Sequence, residues 1–464
     1  MKNLNEKCAV FGIYNSSDAA RKAYFGLFAL QHRGQEQTGI VSSDGTQLYI
    51  HKGSGLVSQV YTEKDIESLK GTIAIGHNRY ATSRGGAGDC SQPVVIGDLS
   101  FAHNGNLPST KALEEFLKNK NVHLEHLSDS EMMAQAIGVY VKEGASIVDA
   151  IKNAYPLFTG AFSCVVMTHD TLIAFRDHCG IRPLVMGKSV NGEEIVFASE
   201  TCALRVAGVE FEREVNPGEM VVVNKEGIST HQVMEANPKF DIFEFVYFAR
   251  HDSNLLGKSV YEVRKSLGKV LAREHPIEAD MVIPVPETAV PAALGYSQAS
   301  GIPLEMAISK NRYINRTFIE PTQADREQKV RMKLLPLVDT IKDKKIIVVD
   351  DSIVRGTTSR QIVQMLFDAG AKEVHFMASS AKVMFPDFYG INTPDQKDLI
   401  ASQKTTKEIC EYLGATSVSY LSVDGMVEAT GLPRDVFSVS SFDGIYPVDI
   451  LERKNEISYE VPKE

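Results

Sequence analysis

Residues 344–359 read KKIIVVDDSIVRGTTS. Four consecutive β-branched aliphatics, Ile346 to Val349, read as a strand buried on both faces, which points to a parallel sheet covered by helices. Two adjacent carboxylates, Asp350 and Asp351, close the run, and Gly356-Thr357-Thr358-Ser359 opens a helix. The pattern recurs: DMVIPVPE, KEVHFMASS and TSVSYLSV also read as strands buried on both faces, with amphipathic helices between them. In SRQIVQMLFDAGA, Ile362, Val363, Leu366, Phe367 and Ala369 fall on one helical face, with Gly370 as the C-terminal cap. This half of the chain is expected to be an α/β domain.

The chain has 464 residues, too many for one ordinary core. Its texture changes near 235–242. Before that point lie short strand-like runs, CAVFGIY, GTIAIGHNRYAT, LSFAHNGNL, FSCVVMTH, TLIAFRD, EIVFAS and MVVVN, separated by glycine-rich turns as in antiparallel sheets. Helical stretches are expected around 19–31 and 129–142, and the tail ERKNEISYEVPKE reads as frayed. The domain reading is 8–235 followed by 236–464.

Apolar runs reach only strand length and the start, MKNLNEKCAVFGIY, lacks a signal-peptide profile, so a cytoplasmic protein with no membrane partner is expected. The net charge of −10 argues against general nucleic-acid binding. Six cysteines form no CxxC pair and twelve histidines no HExxH or HxH cluster, so neither set suggests a metal site. Locally the sign reverses: segment 310–333 carries seven Lys/Arg against three Asp/Glu. It reads either as a solvated face or as a mobile basic flap over an anionic ligand.

Ligands of parallel α/β sheets bind outside the carboxyl ends of strands, where Asp350 and Asp351 are expected. Two carboxylates there repel unless a divalent cation neutralises them or sugar hydroxyls donate to their oxygens. The N–H groups, hydroxyls and helix dipole of Arg355 to Ser359 suit a phosphate. One loop therefore offers acceptors for a diol or metal and then donors for a phosphate, the layout of ribose 5-phosphate. A plain N-cap would explain one carboxylate, and a Walker A loop, GxxxxGK[ST], is absent. The stretch IIVVDDSIVRGTTS resembles the phosphoribosyl-diphosphate signature of type I phosphoribosyltransferases. That resemblance assigns the ribose hydroxyls and Mg2+ to Asp350 and Asp351, and the 5-phosphate to Arg355, Gly356, Thr357, Thr358 and Ser359.

A second signal begins at Cys8. NEKCAVFGIY, QHRGQEQTGI, GHNRYATSRG, AHNGNL and SDSE together resemble class II glutamine amidotransferase domains, of the αββα Ntn-hydrolase fold, whose nucleophile is an N-terminal cysteine. The resemblance gives Arg79 the α-carboxylate of glutamine, Asp129 its α-ammonium, and Asn104 with the Gly105 N–H the oxyanion hole; Arg33 and Gly34 are expected to shape the loop near Cys8. The α-amine of an N-terminal cysteine, with a pKa of roughly 7.7–8.0, can relay the thiol proton. Cys8 is internal, so residues 1–7, MKNLNEK, are expected to be a propeptide cleaved at Lys7–Cys8.

In this order the two halves resemble the amidophosphoribosyltransferase family. The resemblance implies glutamine hydrolysis at Cys8, transfer of ammonia to 5-phosphoribosyl 1-diphosphate, and a place at the first committed step of purine synthesis. It implies a flexible loop at 310–333, with Lys310, Arg312 and Arg331 near the diphosphate. It further implies feedback by purine nucleotides, with positions near Arg250–Ser253 and Ser379–Lys382 as contacts, and a homo-oligomer, tetramer or dimer. Some members hold an iron–sulfur cluster on four cysteines; here the matching stretches carry Asp241, Asp387 and FSVSS (437–441), so no cluster is expected. His251 replaces a usual proline, and Ala289 removes a serine that serves the magnesium site elsewhere. Two rival readings are another class II amidotransferase, such as an aminosugar synthase, and a nucleobase phosphoribosyltransferase. A non-enzymatic regulator that binds nucleic acid is the third.

Overall fold

The computed structural model describes residues 8–79, 91–311, 334–391, 393, 395–457 and 460–462. Two antiparallel sheets stack in the first half. One runs in the order Glu210–Glu214, Val185–Lys188, Ile195–Ala198, Ala9–Tyr14, Ile73–Arg79, Gln37–Ser43 and Leu48–Ser54. The other runs Gly227–Gln232, Glu219–Asn224, Leu172–Arg176, Thr159–Met167, Leu99–Ser109 and Val94–Ile96. Their facing surfaces share a core that includes Val10, Ile75, Ala102, Val165, Ala174 and Val221.

Helices cover the outer faces. Ala23 and Leu27 of helix Ala19–Ala29 pack with Phe11 and Ala74 on the first sheet. Met133 and Ile137 of helix Asp129–Lys142, and Ile151 of Ile147–Ala154, pack with Phe101, Phe162 and Phe175 on the second. This is the expected αββα layering. Six of the strands escape the sequence reading: Gln37–Ser43, Leu48–Ser54, Val94–Ile96, Val185–Lys188, Glu210–Glu214 and Gly227–Gln232.

The second half is an α/β domain on a four-stranded parallel sheet, ordered Met281–Pro284, Lys345–Asp350, Glu373–Ala378 and Ser417–Tyr420. Lys345–Asp350 lies inside the sheet, and all four residues Ile346 to Val349 are fully buried. Ser417–Tyr420 corrects the expectation of a strand buried on both faces: it is an edge strand in which only Val418 and Tyr420 are buried. Ile362, Val363, Leu366 and Ala369 pack against the sheet as the helical pattern predicts, whereas Phe367 is only partly buried. Among the described residues, no helix is long and apolar enough to cross a membrane.

A π-helical turn, Glu244–Phe248, enters the second half. Buried Arg264 donates from Nε to the Phe245 carbonyl and from Nη2 to the Ala249 carbonyl, both at 2.8 Å. The halves also meet where Asn106 Nδ2 donates to the Phe388 carbonyl at 2.8 Å.

Candidate active sites

Strand pairing assembles the first site. Ala9 pairs with Asn78 in adjacent antiparallel strands, so Cys8 and Arg79 are the next residues along that pairing. Cys8 is buried, with φ at 48°. Val10 N–H donates to Ser199 Oγ at 3.0 Å, and Asn104 Nδ2 reaches the same oxygen at 3.5 Å. Ser199 thus ties the nucleophile strand to the expected oxyanion amide.

Asn104 and Gly105 lie in strand Leu99–Ser109, opposite Ser163 and Phe162. Gly105 has φ 151°, and a Cβ there would sit 2.0 Å from the Ala161 carbonyl oxygen and 2.9 Å from His103 Nε2. No other residue fits without opening the strand pair. Asp129 opens helix Asp129–Lys142, whose N-cap is Ser128. Its Oδ2 accepts from Leu107 N–H at 3.3 Å and its Oδ1 from Ser130 N–H at 2.7 Å. The first bond sets the carboxylate beside the strand that carries Asn104. His77 is fully buried, and burial first, then Arg79, pushes its imidazole down to about 3. It is therefore neutral at cellular pH.

Beneath Cys8 lies a charge cluster that the sequence reading did not identify. Arg33, 1% exposed, donates from Nε to the Cys8 carbonyl at 3.3 Å. Its Nη1 donates to Glu200 at 2.7 Å and Glu244 at 2.9 Å, and its Nη2 to Glu244 at 2.7 Å. Glu200 also accepts from Ser253 Oγ at 2.7 Å and Arg250 N–H at 3.0 Å, and its other oxygen lies 2.7 Å from His32 Nε2. Arg182 Nη2 lies 2.7 Å from Glu244. Burial alone would raise both carboxyls, but the surrounding cations and donors hold Glu200 and Glu244 below the usual range. Of this cluster the sequence reading placed only Arg33 near Cys8, and it gave Glu200 and Glu244 no role.

The second site lies at the carboxyl edge of the parallel sheet. Pro284 pairs with Val349 and Asp350 with Ala378, so loops 285–289, 351–356 and 379–382 leave the same edge. Asp350 Oδ1 accepts from Asp351 N–H at 2.9 Å, and Ser352 Oγ donates to Asp351 at 2.9 Å. Desolvation first, and the Asp351 charge second, push the Asp350 carboxyl well above its usual range.

Neither aspartate is the N-cap residue of the following helix. Gly356 is the N-cap of Thr357–Asp368, with φ 72° and no side-chain cap bond. A Cβ there would lie 2.8 Å from Ile400 Cδ1 and 3.1 Å from Tyr412 Cε1. The N–H groups of Thr357, Thr358 and Ser359 thus head the helix beside the carboxylates. Arg355 pairs with Asp398 at 3.1 Å, and Lys310 with Glu287 of loop 285–289 at 3.3 Å. Lys310 ends strand Ile308–Lys310, which pairs with Leu334–Pro336, so the two ends of segment 310–333 are side by side. Arg312 and Arg331 lie outside the described residues.

Comparison with known proteins joins the two sites. A glutamine amidotransferase domain model matches residues 77–206, and a phosphoribosyl transferase domain model matches 255–383. The amidophosphoribosyltransferase of Bacillus subtilis (strain 168) is 44% identical over 463 residues, covering 97% of this chain and 96% of the relative. That of Methanocaldococcus jannaschii is 42% identical, covering 96% and 98%. The chain belongs to the amidophosphoribosyltransferase family.

Solved structures agree. One described as the allosteric regulatory enzyme of purine biosynthesis matches with TM-score 0.90 at 43% identity, covering 96% of this chain and 97% of that one. The glutamine phosphoribosylpyrophosphate amidotransferase of B. subtilis, complexed with ADP and GMP, matches with TM-score 0.89 at 42% identity, covering 96% and 98%. As an amidophosphoribosyltransferase, the chain is a pentosyltransferase and glutamine amidotransferase that uses glutamine and phosphoribosyl diphosphate at the first step of purine biosynthesis. The family decides against the aminosugar synthase, nucleobase transferase and regulator readings.

Proposed function

We propose that Cys8 is the glutaminase nucleophile and that the Asp350–Ser359 loop holds the phosphoribosyl group. The Cys8 thiolate attacks the glutamine amide carbon. Asn104 Nδ2 and the Gly105 N–H take the developing oxyanion, while Arg79 and Asp129 hold the α-carboxylate and α-ammonium. Ammonia leaves, and water cleaves the thioester to glutamate. The base is the α-amine of Cys8, which requires removal of residues 1–7; the working domains are then 8–235 and 236–464.

In the second site, Asp350 and Asp351 hold the ribose hydroxyls, and Arg355 to Ser359 the 5-phosphate. Ammonia nitrogen bonds to C1 as the bond from C1 to diphosphate oxygen breaks, and loss of a proton leaves 5-phosphoribosylamine. Lys310, Arg312 and Arg331 face the diphosphate when segment 310–333 closes, which excludes water. Mg2+ fits the donor set: two adjacent hard carboxylates at the sheet edge, whose like charges oppose each other's ionisation, with substrate phosphates completing the shell. When bound, it offsets charge on the departing diphosphate. Buried Ala289 heads the helix Val290–Ser300 and has no side-chain ligand to offer, so loop 285–289 serves through Thr288 and backbone N–H groups.

No iron–sulfur cluster is part of this reading. Its support is chemical: Asp241 accepts from Arg182 Nη1 at 3.1 Å, and Asp387 Oδ1 caps the Tyr389 and Ile391 N–H groups at 2.9 and 2.7 Å. We further propose purine-nucleotide feedback, a dimer or tetramer, and a cytoplasmic location. The co-crystallised ADP and GMP of the B. subtilis relative support the first.

The observation that carries the account is the carboxylate pair at the sheet edge, beside a helix whose N-cap is Gly356 rather than either aspartate. Asp350→Asn/Asp351→Asn protein, given ammonium salts, magnesium and phosphoribosyl diphosphate, should release diphosphate at least about 100-fold more slowly than wild type. A wild-type rate would remove the assignment.

A further inference from the structure

Cys8 leads the strand Ala9–Tyr14 and is buried. Arg33 donates from Nε to the Cys8 carbonyl at 3.3 Å. Arg33 is in turn fixed by two fully buried carboxylates. Glu200 belongs to the glutaminase half. Glu244 belongs to the turn that enters the other half, and it takes both terminal nitrogens of Arg33, at 2.9 and 2.7 Å. Arg264, on helix Val260–Glu274, grips the same turn through the Phe245 and Ala249 carbonyls. Arg182 Nη2 lies 2.7 Å from Glu244 Oε1, the oxygen that also accepts from Arg33 Nη2.

The expected role for Arg33 was loop-shaping. The geometry points to a sharper one: Arg33 and Glu244 are positioning residues of the glutaminase centre, and the phosphoribosyltransferase half supplies the second. With its terminal nitrogens held by the two carboxylates, Arg33 holds the Cys8 carbonyl through Nε, and with it the first peptide plane of the strand that carries the Cys8 side chain. The adjacent Ser199 fixes the next turn of that strand and the Asn104 amide, so nucleophile and oxyanion donor are referenced to one segment, Ser199–Glu200. Arg33 and Glu244 are 1% and 0% exposed, so neither side chain is open to an entering glutamine. The chemical step should therefore suffer when the lock loosens, and ground-state binding should not. This inference rests on Cys8 being the nucleophile.

The test is Glu244→Gln in the full-length protein. It keeps shape and one acceptor oxygen but removes the charge that Arg33 and Arg182 share. The ratio of glutamine-dependent to ammonia-dependent rate should fall at least about tenfold, through kcat, with the KM for glutamine within about threefold. Alkylation of Cys8 by iodoacetamide should change in rate as well, which a mere loss of stability would not produce in protein that still turns over ammonia. Arg33→Lys retains the charge but cannot reach Cys8, Glu200 and Glu244 together. It should give the same kcat-specific loss, and it serves if Glu244→Gln fails to fold. A ratio within twofold of wild type, or a change confined to KM, overturns the proposal. Cys8→Ala runs in parallel: if it still uses glutamine, the nucleophile assignment fails, whereas if it is inactive with glutamine while Glu244→Gln is normal, only the positioning role fails.

Discussion

Gly105→Ala is the most demanding single substitution in the first site. The new methyl carbon would lie 2.0 Å from the Ala161 carbonyl oxygen and 2.7 Å from its carbon. Both belong to the backbone of the paired strand, so no rotamer relieves the clash. The packed interior leaves nowhere to go, and reaching even 3.0 Å requires roughly 1 Å of strand displacement. That shift carries the Gly105 N–H away from the oxyanion, whose donors must lie near 2.7–3.1 Å. Removing one such donor costs about 2.7–4 kcal/mol, or about 10²–10³ in kcat. Glutamate production should fall by that factor. Diphosphate release with ammonium chloride should stay within about twofold, because the second site is built on another sheet. Glutamate production within about threefold of wild type would refute the reasoning.

Two further outcomes are expected. Intact-mass measurement of active enzyme should show a chain beginning at Cys8; residues 1–7 retained on fully active protein would exclude the α-amine as base. The second concerns pH. The Asp350 carboxyl is held well above its ordinary value by desolvation and by Asp351, so its folded-state pKa exceeds its unfolded one. Such a group costs stability as pH rises from the ordinary carboxylate range through the folded pKa, because the unfolded chain ionises first. A cation favours the ionised form and cancels that cost. Magnesium should raise the melting temperature more at pH 8 than at pH 5, and Asp350→Asn should abolish the difference.

The second site was legible because it is contiguous. Asp350 to Ser359 is one strand end, one turn and one helix start, so spacing along the chain is spacing in the site. The first site is not. Cys8, Arg79, Asn104 and Asp129 come from four segments that only strand register and one helix cap bring together, so their roles entered through resemblance. The charge cluster was the least legible. Arg33, Glu200 and Glu244 are 167 and 211 residues apart in their two pairings, and charged residues are normally read as surface. Strand Gln37–Ser43 escaped because Thr38, Gly39, Ser42 and Ser43 interrupt its aliphatic run, although Thr38 to Ser43 are all buried. Ser417–Tyr420 was read as buried on both faces, although the alternation Ser417, Val418, Ser419, Tyr420 marks a strand with one buried face.

The central claim is that ammonia made at Cys8 is consumed at the anomeric carbon held by Asp350 and Asp351. Cys8→Ala protein tests it most directly, in an assay of phosphoribosyl diphosphate consumption with either glutamine or ammonium as nitrogen source. The account predicts no consumption above background with glutamine and near-wild-type consumption with ammonium. Undiminished use of glutamine, or loss of both activities in folded protein, would contradict it.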